Sequence, residues 1–132
     1  MKRTALLLCL LLLPLFGCQA MSEQRQEDSL LRTLRAFENT LRWDRPAGAW
    51  GYLTPEVAQQ AGPPPNLDNV RVIGYDVIEP PVPVGEGVVV QRVLIRYVFQ
   101  DRQVVRTLDD RQRWEFDQAS QTWRRANPIP AF

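Results

Sequence analysis

The apolar pattern of this chain changes period once, and that change sets the fold class. Leu30, Leu34, Phe37 and Leu41 recur at steps of four, three and four, one stripe at the period of an α-helix. Arg32, Arg35, Glu38 and Arg42 take the other faces. From Val70 onward the apolar residues alternate instead, as in strands whose side chains point by turns to opposite faces. No internal repeat and no alternation of strand and helix interrupts this order. Helix first and strands afterwards argues α+β: an N-terminal helix and short helices packed on a curved antiparallel sheet of about four strands.

Local signals place the elements. Asp28 stands near the expected helix start, where a carboxylate suits the positive end of the helix dipole. Pro46 ends the helix, because the residue before a proline is pushed out of the helical region. Trp50, Tyr52 and Leu53 read as a short helical turn or a loop on the core. Thr54 and Pro55 read as N-cap and first residue of a brief helix to Ala61, broken by Gly62-Pro63-Pro64-Pro65. A strand is expected from Val70 to Ile78. The segment Glu79-Pro80-Pro81-Val82-Pro83-Val84-Gly85 should interrupt it, since proline suits an edge or a loop. Gly87 to Phe99 is the longest strand, with Val89, Val93, Ile95, Tyr97 and Phe99 on one face and Arg92 and Arg96 on the other. Val104 to Phe116 follows after a tight turn, and Asp109-Asp110 reads as a bulge or bend in it. Thr122 to Ala126 returns as a short strand, and Asn127 to Phe132 is an extended tail.

The amino terminus has a different character. Lys2 and Arg3 precede an apolar run from Ala5 to Phe16, the n-region and h-region of an export signal. The run is shorter than the ~20 residues that a helix needs to cross a bilayer. It closes on Leu15-Phe16-Gly17-Cys18, which resembles the lipobox of bacterial lipoproteins. The resemblance implies cleavage before Cys18 and lipid on its thiol, with several acyl chains giving stable anchoring. Gln19 in place of Asp implies sorting to the outer membrane, with the domain facing the periplasm. We therefore expect residues 1–17 to be a signal peptide, 18–27 a polar tether and 28–132 a single domain. Cys9 leaves with the signal and Cys18 carries lipid, so no thiol is left for a disulfide or a thiolate metal site.

The expected domain resembles the nuclear transport factor two-like, or cystatin-like, cone superfamily. The residues carrying the resemblance are the Leu30–Leu41 helix, Trp50-Gly51-Tyr52-Leu53, the hairpins from Gly87 to Phe116, and Trp114-Glu115-Phe116 with Trp123-Arg124. It implies helices closing over a strongly bent sheet. It also implies, in some members, an Asp-His pair or an Asp with a Tyr in the cone, and in many a homodimer through the open sheet face.

The chemistry available is narrow. With no His anywhere and no Cys after Cys18, the commonest general base, Ser-His and Cys-His nucleophiles and the usual zinc sites are excluded. No cofactor and no metal site is expected. The Asp-plus-Tyr arrangement would need Asp76 with Tyr75 or Tyr97, yet adjacent Tyr75 and Asp76 should point to opposite faces. Asp109, Asp110, Glu115 and Asp117 read as a solvated bend flanked by Arg106, Arg111 and Arg113, not as a calcium loop. Without Lys2 and Arg3, 14 basic residues face 15 acidic ones, so no excess of positive charge favours nucleic acid.

The binding residues singled out are Arg92 and Arg96, which could clamp an anion if their face lined a cone, with Trp50 and Tyr97 as aromatic contacts. The functional expectation is a membrane-anchored, non-enzymatic envelope lipoprotein that binds a protein partner or a small apolar ligand. The alternative is a small cone-fold enzyme using an Asp/Tyr pair.

Overall fold

The computed structural model describes residues 14–132, with side chains from Gly17 onward. Most of the expected export signal, including Cys9, lies outside the described residues. The chain divides into two units, Met1–Arg32 and Thr33–Phe132.

Helix α1 runs over Pro14–Trp43 and so begins well before the expected start at Asp28. Residues 18–27, expected as a polar tether, are helical. The reason is local: Glu, Gln and Arg are good helix formers and no breaker stands between Gly17 and Trp43. Gln24 donates to Asp28 one turn on, at 3.2 Å. No helix among the described residues is long and apolar enough to cross a membrane. The four stripe residues Leu30, Leu34, Phe37 and Leu41 are all buried, as their period requires.

In the second unit a 3-10 helix, Pro46–Tyr52, follows α1. Helix α2, Pro55–Gln60, starts as expected, with the Thr54 side chain accepting from the Val57 amide. A second 3-10 turn, Leu67–Asn69, leads into the sheet. Its strands are β1 (Val70–Gly85), β2 (Val88–Phe99), β3 (Val105–Asp117) and β4 (Thr122–Arg125), antiparallel and in the order β1-β2-β3-β4. The domain is α+β, an N-terminal helix and short helices with a curved, open four-stranded antiparallel sheet.

Two strand expectations are corrected. The proline segment does not interrupt β1, which continues to Gly85 along the sheet edge. An edge strand can bond β2 through one side and leave proline on the other, and the register shifts between Val77 and Gly85 absorb the misfits. Asp109-Asp110 is not a bulge: Leu94 faces Asp109 and Val93 faces Asp110 in a register that runs unbroken from Val88 to Val98.

The inner face of the sheet carries the core. Trp114 is fully buried beneath Phe37 of α1, with ring centroids 5.2 Å apart and planes nearly perpendicular. Tyr52 completes the cluster at 5.4 Å from Phe37 and 6.5 Å from Trp114. Such edge-to-face pairs add about 0.5–1.5 kcal/mol each beyond their area burial. Trp123 sits opposite Phe116 in the ladder, with ring centroids 5.3 Å apart. Trp43, by contrast, is exposed and lies beneath the guanidinium of Arg42.

Candidate functional site

The four residues singled out for binding do not come together. Arg92 and Arg96 are on the outer face of β2. Tyr97 is buried on the inner face, where Phe132 meets it edge-on at 5.1 Å. Trp50 is buried in the first 3-10 helix. The two arginines do not form an anion clamp, because each already has a carboxylate. Arg92 Nε donates to Asp109 at 2.9 Å and its Nη1 to Glu79 at 3.1 Å, three strands bridged by one side chain. The hydrogen bond from Arg92 holds the Asp109 carboxyl below the usual carboxylate range. Arg96 pairs with Asp76 at 3.2 Å across Gly74. These pairs are exposed to water and add little stability; they neutralise the outer face.

The Asp/Tyr pair is not assembled either. Asp76 points outward to Arg96, whereas Tyr75 and Tyr97 point inward. Alternation along β1 is the cause, as expected from adjacency. Tyr75 instead belongs to a polar network in the core. Gln112 Nε2 donates to the Tyr75 hydroxyl at 3.0 Å and to Asp110 at 2.8 Å. Its Oε1 accepts from Gln91 at 2.8 Å and from the Trp114 indole at 3.1 Å. Arg125 closes the network with two bonds to Asp110, at 2.6 and 2.7 Å. Gln91, Asp110, Gln112 and Arg125 are all buried. No buried side-chain polar atom among the described residues lacks a partner, which is the condition for such a network to be tolerated in a core. Burial drives the Tyr75 hydroxyl pKa well above its ordinary value.

This network was missed because Asp109-Asp110 read as a bend. With an unbroken strand, Asp110, Gln112 and Trp114 fall on one face opposite Val93, Gln91 and Val89. Asp110 thereby leaves the acidic surface group. Among the described residues no group of His, Cys, Asp and Glu is placed to hold a metal ion.

Arg125 also determines where the chain goes next. Its guanidinium donates to the carbonyls of Asn127 at 3.1 Å and Pro128 at 2.9 Å. The tail then lies on the domain, with Ile129 buried and Phe132 on Tyr97. The Asn127 side chain stays at the edge of β3, taking the Arg113 amide at 2.9 Å and donating to the Arg111 carbonyl at 2.7 Å. A side-chain amide thus stands in for a strand peptide just past the end of β4.

Of the exposed large apolar side chains, Met21, Leu31 and Trp43 lie on α1. Ile73, Val77, Ile78, Val82 and Val84 lie on the edge strand β1, Val105 opens β3 and Val104 stands just before it. Compared with protein-family models, with curated proteins and with solved structures, the chain finds no match in any of the three.

Proposed function

We propose that this chain is a lipid-anchored envelope lipoprotein, held through Cys18 at the outer membrane and facing the periplasm, whose domain binds a protein partner without catalysing a reaction. The observation that carries the binding half is where apolar and polar surface ends up. The inner face is filled by Phe37, Trp114 and the satisfied Asp110–Gln112–Arg125 network, while valines stand exposed along two strand edges. Exposed apolar side chains gathered on an edge suit a partner surface. The anchoring half rests on the lipobox-like Leu15-Phe16-Gly17-Cys18, with Cys18 exposed and free of any disulfide. The kinship to the cone superfamily stays part of this proposal, resting on the helix-then-sheet order and the aromatic positions quoted for it.

Crosslinking in intact cells, followed by stringent washing, tests the binding half. One dominant envelope protein recovered with the chain is the expected result. A small molecule retained on the purified domain, with no protein partner, would overturn it in favour of a carrier or an enzyme.

A further inference from the structure

The sheet ends unevenly along β3. The Phe116 amide donates to the Gly87 carbonyl, so the even-numbered residues of β3 turn their peptide groups toward β2. The odd-numbered residues turn theirs to the other side. There Asp117 and Glu115 meet β4, the Arg113 carbonyl accepts from the Ala126 amide, and the Asn127 side chain accepts from the Arg113 amide and donates to the Arg111 carbonyl. The next odd residues are Asp109, Thr107 and Val105. Their outward N–H and C=O groups meet no backbone or side-chain partner among the described residues. All three are exposed.

The chain's own tail cannot fill this edge. Trp114 pairs with Arg125 and Glu115 with Arg124, so a straight continuation of β4 would set Pro128 opposite Arg111 and Pro130 opposite Asp109. Those are the positions whose amides would have to donate to β3, and proline has none. The tail turns under Arg125 instead, and the Asn127 side chain gives the Arg111 carbonyl the one bond that Pro128 lacks an amide to make.

The β1 edge is protected in a way this one is not. Pro80, Pro81 and Pro83 and repeated register shifts blunt β1. Val105 to Asp109 has no proline, and its register with β2 is unbroken.

We propose that Val105–Asp109 is a docking edge for an extended segment of a partner protein, added antiparallel to β3 in line with β4. The proposal rests on the protein-binding reading above and names its site and the chemistry of its ligand. Main-chain bonds to Val105, Thr107 and Asp109 supply the ladder, and alternate side chains supply selectivity. Inward-facing residues of the added strand would meet Arg106 and Leu108; outward-facing ones would meet Val105, Thr107 and Asp109. Arg106 has no carboxylate partner among the described residues and rests over Phe99 at 5.3 Å. The partner strand therefore carries an acidic side chain opposite Arg106, with β-branched residues beside it. A second copy of this chain fits less well. Pairing of the two β3 edges about Thr107 would set Arg111 opposite Gln103 of the other copy. The Asn127 side chain already occupies that flank of β3, and Gln103 lies in a turn with positive φ.

The probe is the fluorescent peptide acetyl-Thr-Val-Thr-Glu-Val-Thr-amide, titrated onto the purified full chain with amide exchange followed in parallel. Saturable binding that protects the Thr107 and Asp109 amides is the expected result. Thr107→Pro removes an outward amide while sparing the ladder to β2, and should weaken binding about tenfold. Arg106→Glu should reverse the preference toward the same peptide with Lys in place of Glu. Absence of saturable binding, protection that maps to β1 instead, or affinity unchanged in both variants would overturn the proposal. So would a dimer, seen by sedimentation, that Thr107→Pro dissolves. If Thr107→Pro still recovers the crosslinked partner from cells, the docking edge is wrong and the protein-binding reading stands.

Discussion

Arg125 and Asp110 form a two-pronged ion pair, 2.6 and 2.7 Å, with both side chains sealed from solvent. Removing one partner leaves the other charged and buried, which costs about 3–5 kcal/mol. Arg125→Met and Asp110→Leu should each lower stability by that order in urea unfolding. The double variant should be less damaged than the two single losses added together. Strict additivity would mean that the pair is not the coupling element of the core.

Arg125→Met has a second expected effect. Without the bonds to the Asn127 and Pro128 carbonyls the tail loses its turn, so the Ile129 amide should exchange faster than in the parent chain. Protection that persists in this variant would show the tail to be held by Ile129 and Phe132 packing alone.

Gly74 lies under the guanidinium of Arg96. A Cβ at Gly74 would come within 2.6–2.8 Å of the Arg96 Nη2, Nε and Cζ atoms. Those atoms are the far end of a flexible, half-exposed side chain, so Gly74→Ala should displace Arg96 and loosen its pair with Asp76, not break the strand. The expected loss is below about 1 kcal/mol. In an Arg96→Ala background the same substitution should lose still less.

The Tyr75 pKa is raised, first by burial. The unfolded chain releases this proton near pH 10 while the folded one keeps it. The contribution is therefore intact below about pH 10 and is lost as the pH rises beyond it, at up to ~1.4 kcal/mol per pH unit. Urea midpoints taken between pH 8 and 11 should fall more steeply for the parent than for Tyr75→Phe, which has no such proton. Parallel curves would mean that Tyr75 ionises freely in the folded state.

Asn127→Ala removes both bonds to the β3 edge. The groups freed at Arg111 and Arg113 reach water, so the loss should be about 0.5–1.5 kcal/mol. Asn127→Asp keeps the acceptor for the Arg113 amide and should fall between the two. Thermal unfolding of the three proteins gives the order.

Lipidation has a separate readout. Cys18→Ala should leave a longer, unprocessed precursor that takes up no labelled palmitate. Labelling equal to that of the parent chain would place the lipid elsewhere or remove it from the account.

The parts legible in the sequence were those governed by a single period or a single cap. The Leu30–Leu41 stripe, the Thr54 cap, the alternation of β2 and the opposite faces of Tyr75 and Asp76 follow from geometry within one element. The helix start did not, because polar residues that form helices well look the same in a tether. The core network was hidden for a related reason. Asp110 and Arg125 are fifteen residues apart and charged, so each reads as surface until the strand between them is known to be straight.

What this sequence determined alone was the class of its elements and the chemistry it lacks. The order of periods gives helix and then sheet, prolines forbid certain ladder bonds, and the absence of His removes imidazole as a base or ligand from this sequence. The tertiary structure decided which charges are buried and which edge is open. Those outcomes depend on register between strands: a partner's position fixes whether Arg125 meets Asp110 or water, and whether Pro128 and Pro130 fall where an amide is required. Local propensity carries no information about a neighbour's offset. Only the assembled ladder does, and it leaves Val105–Asp109 without a strand beside it.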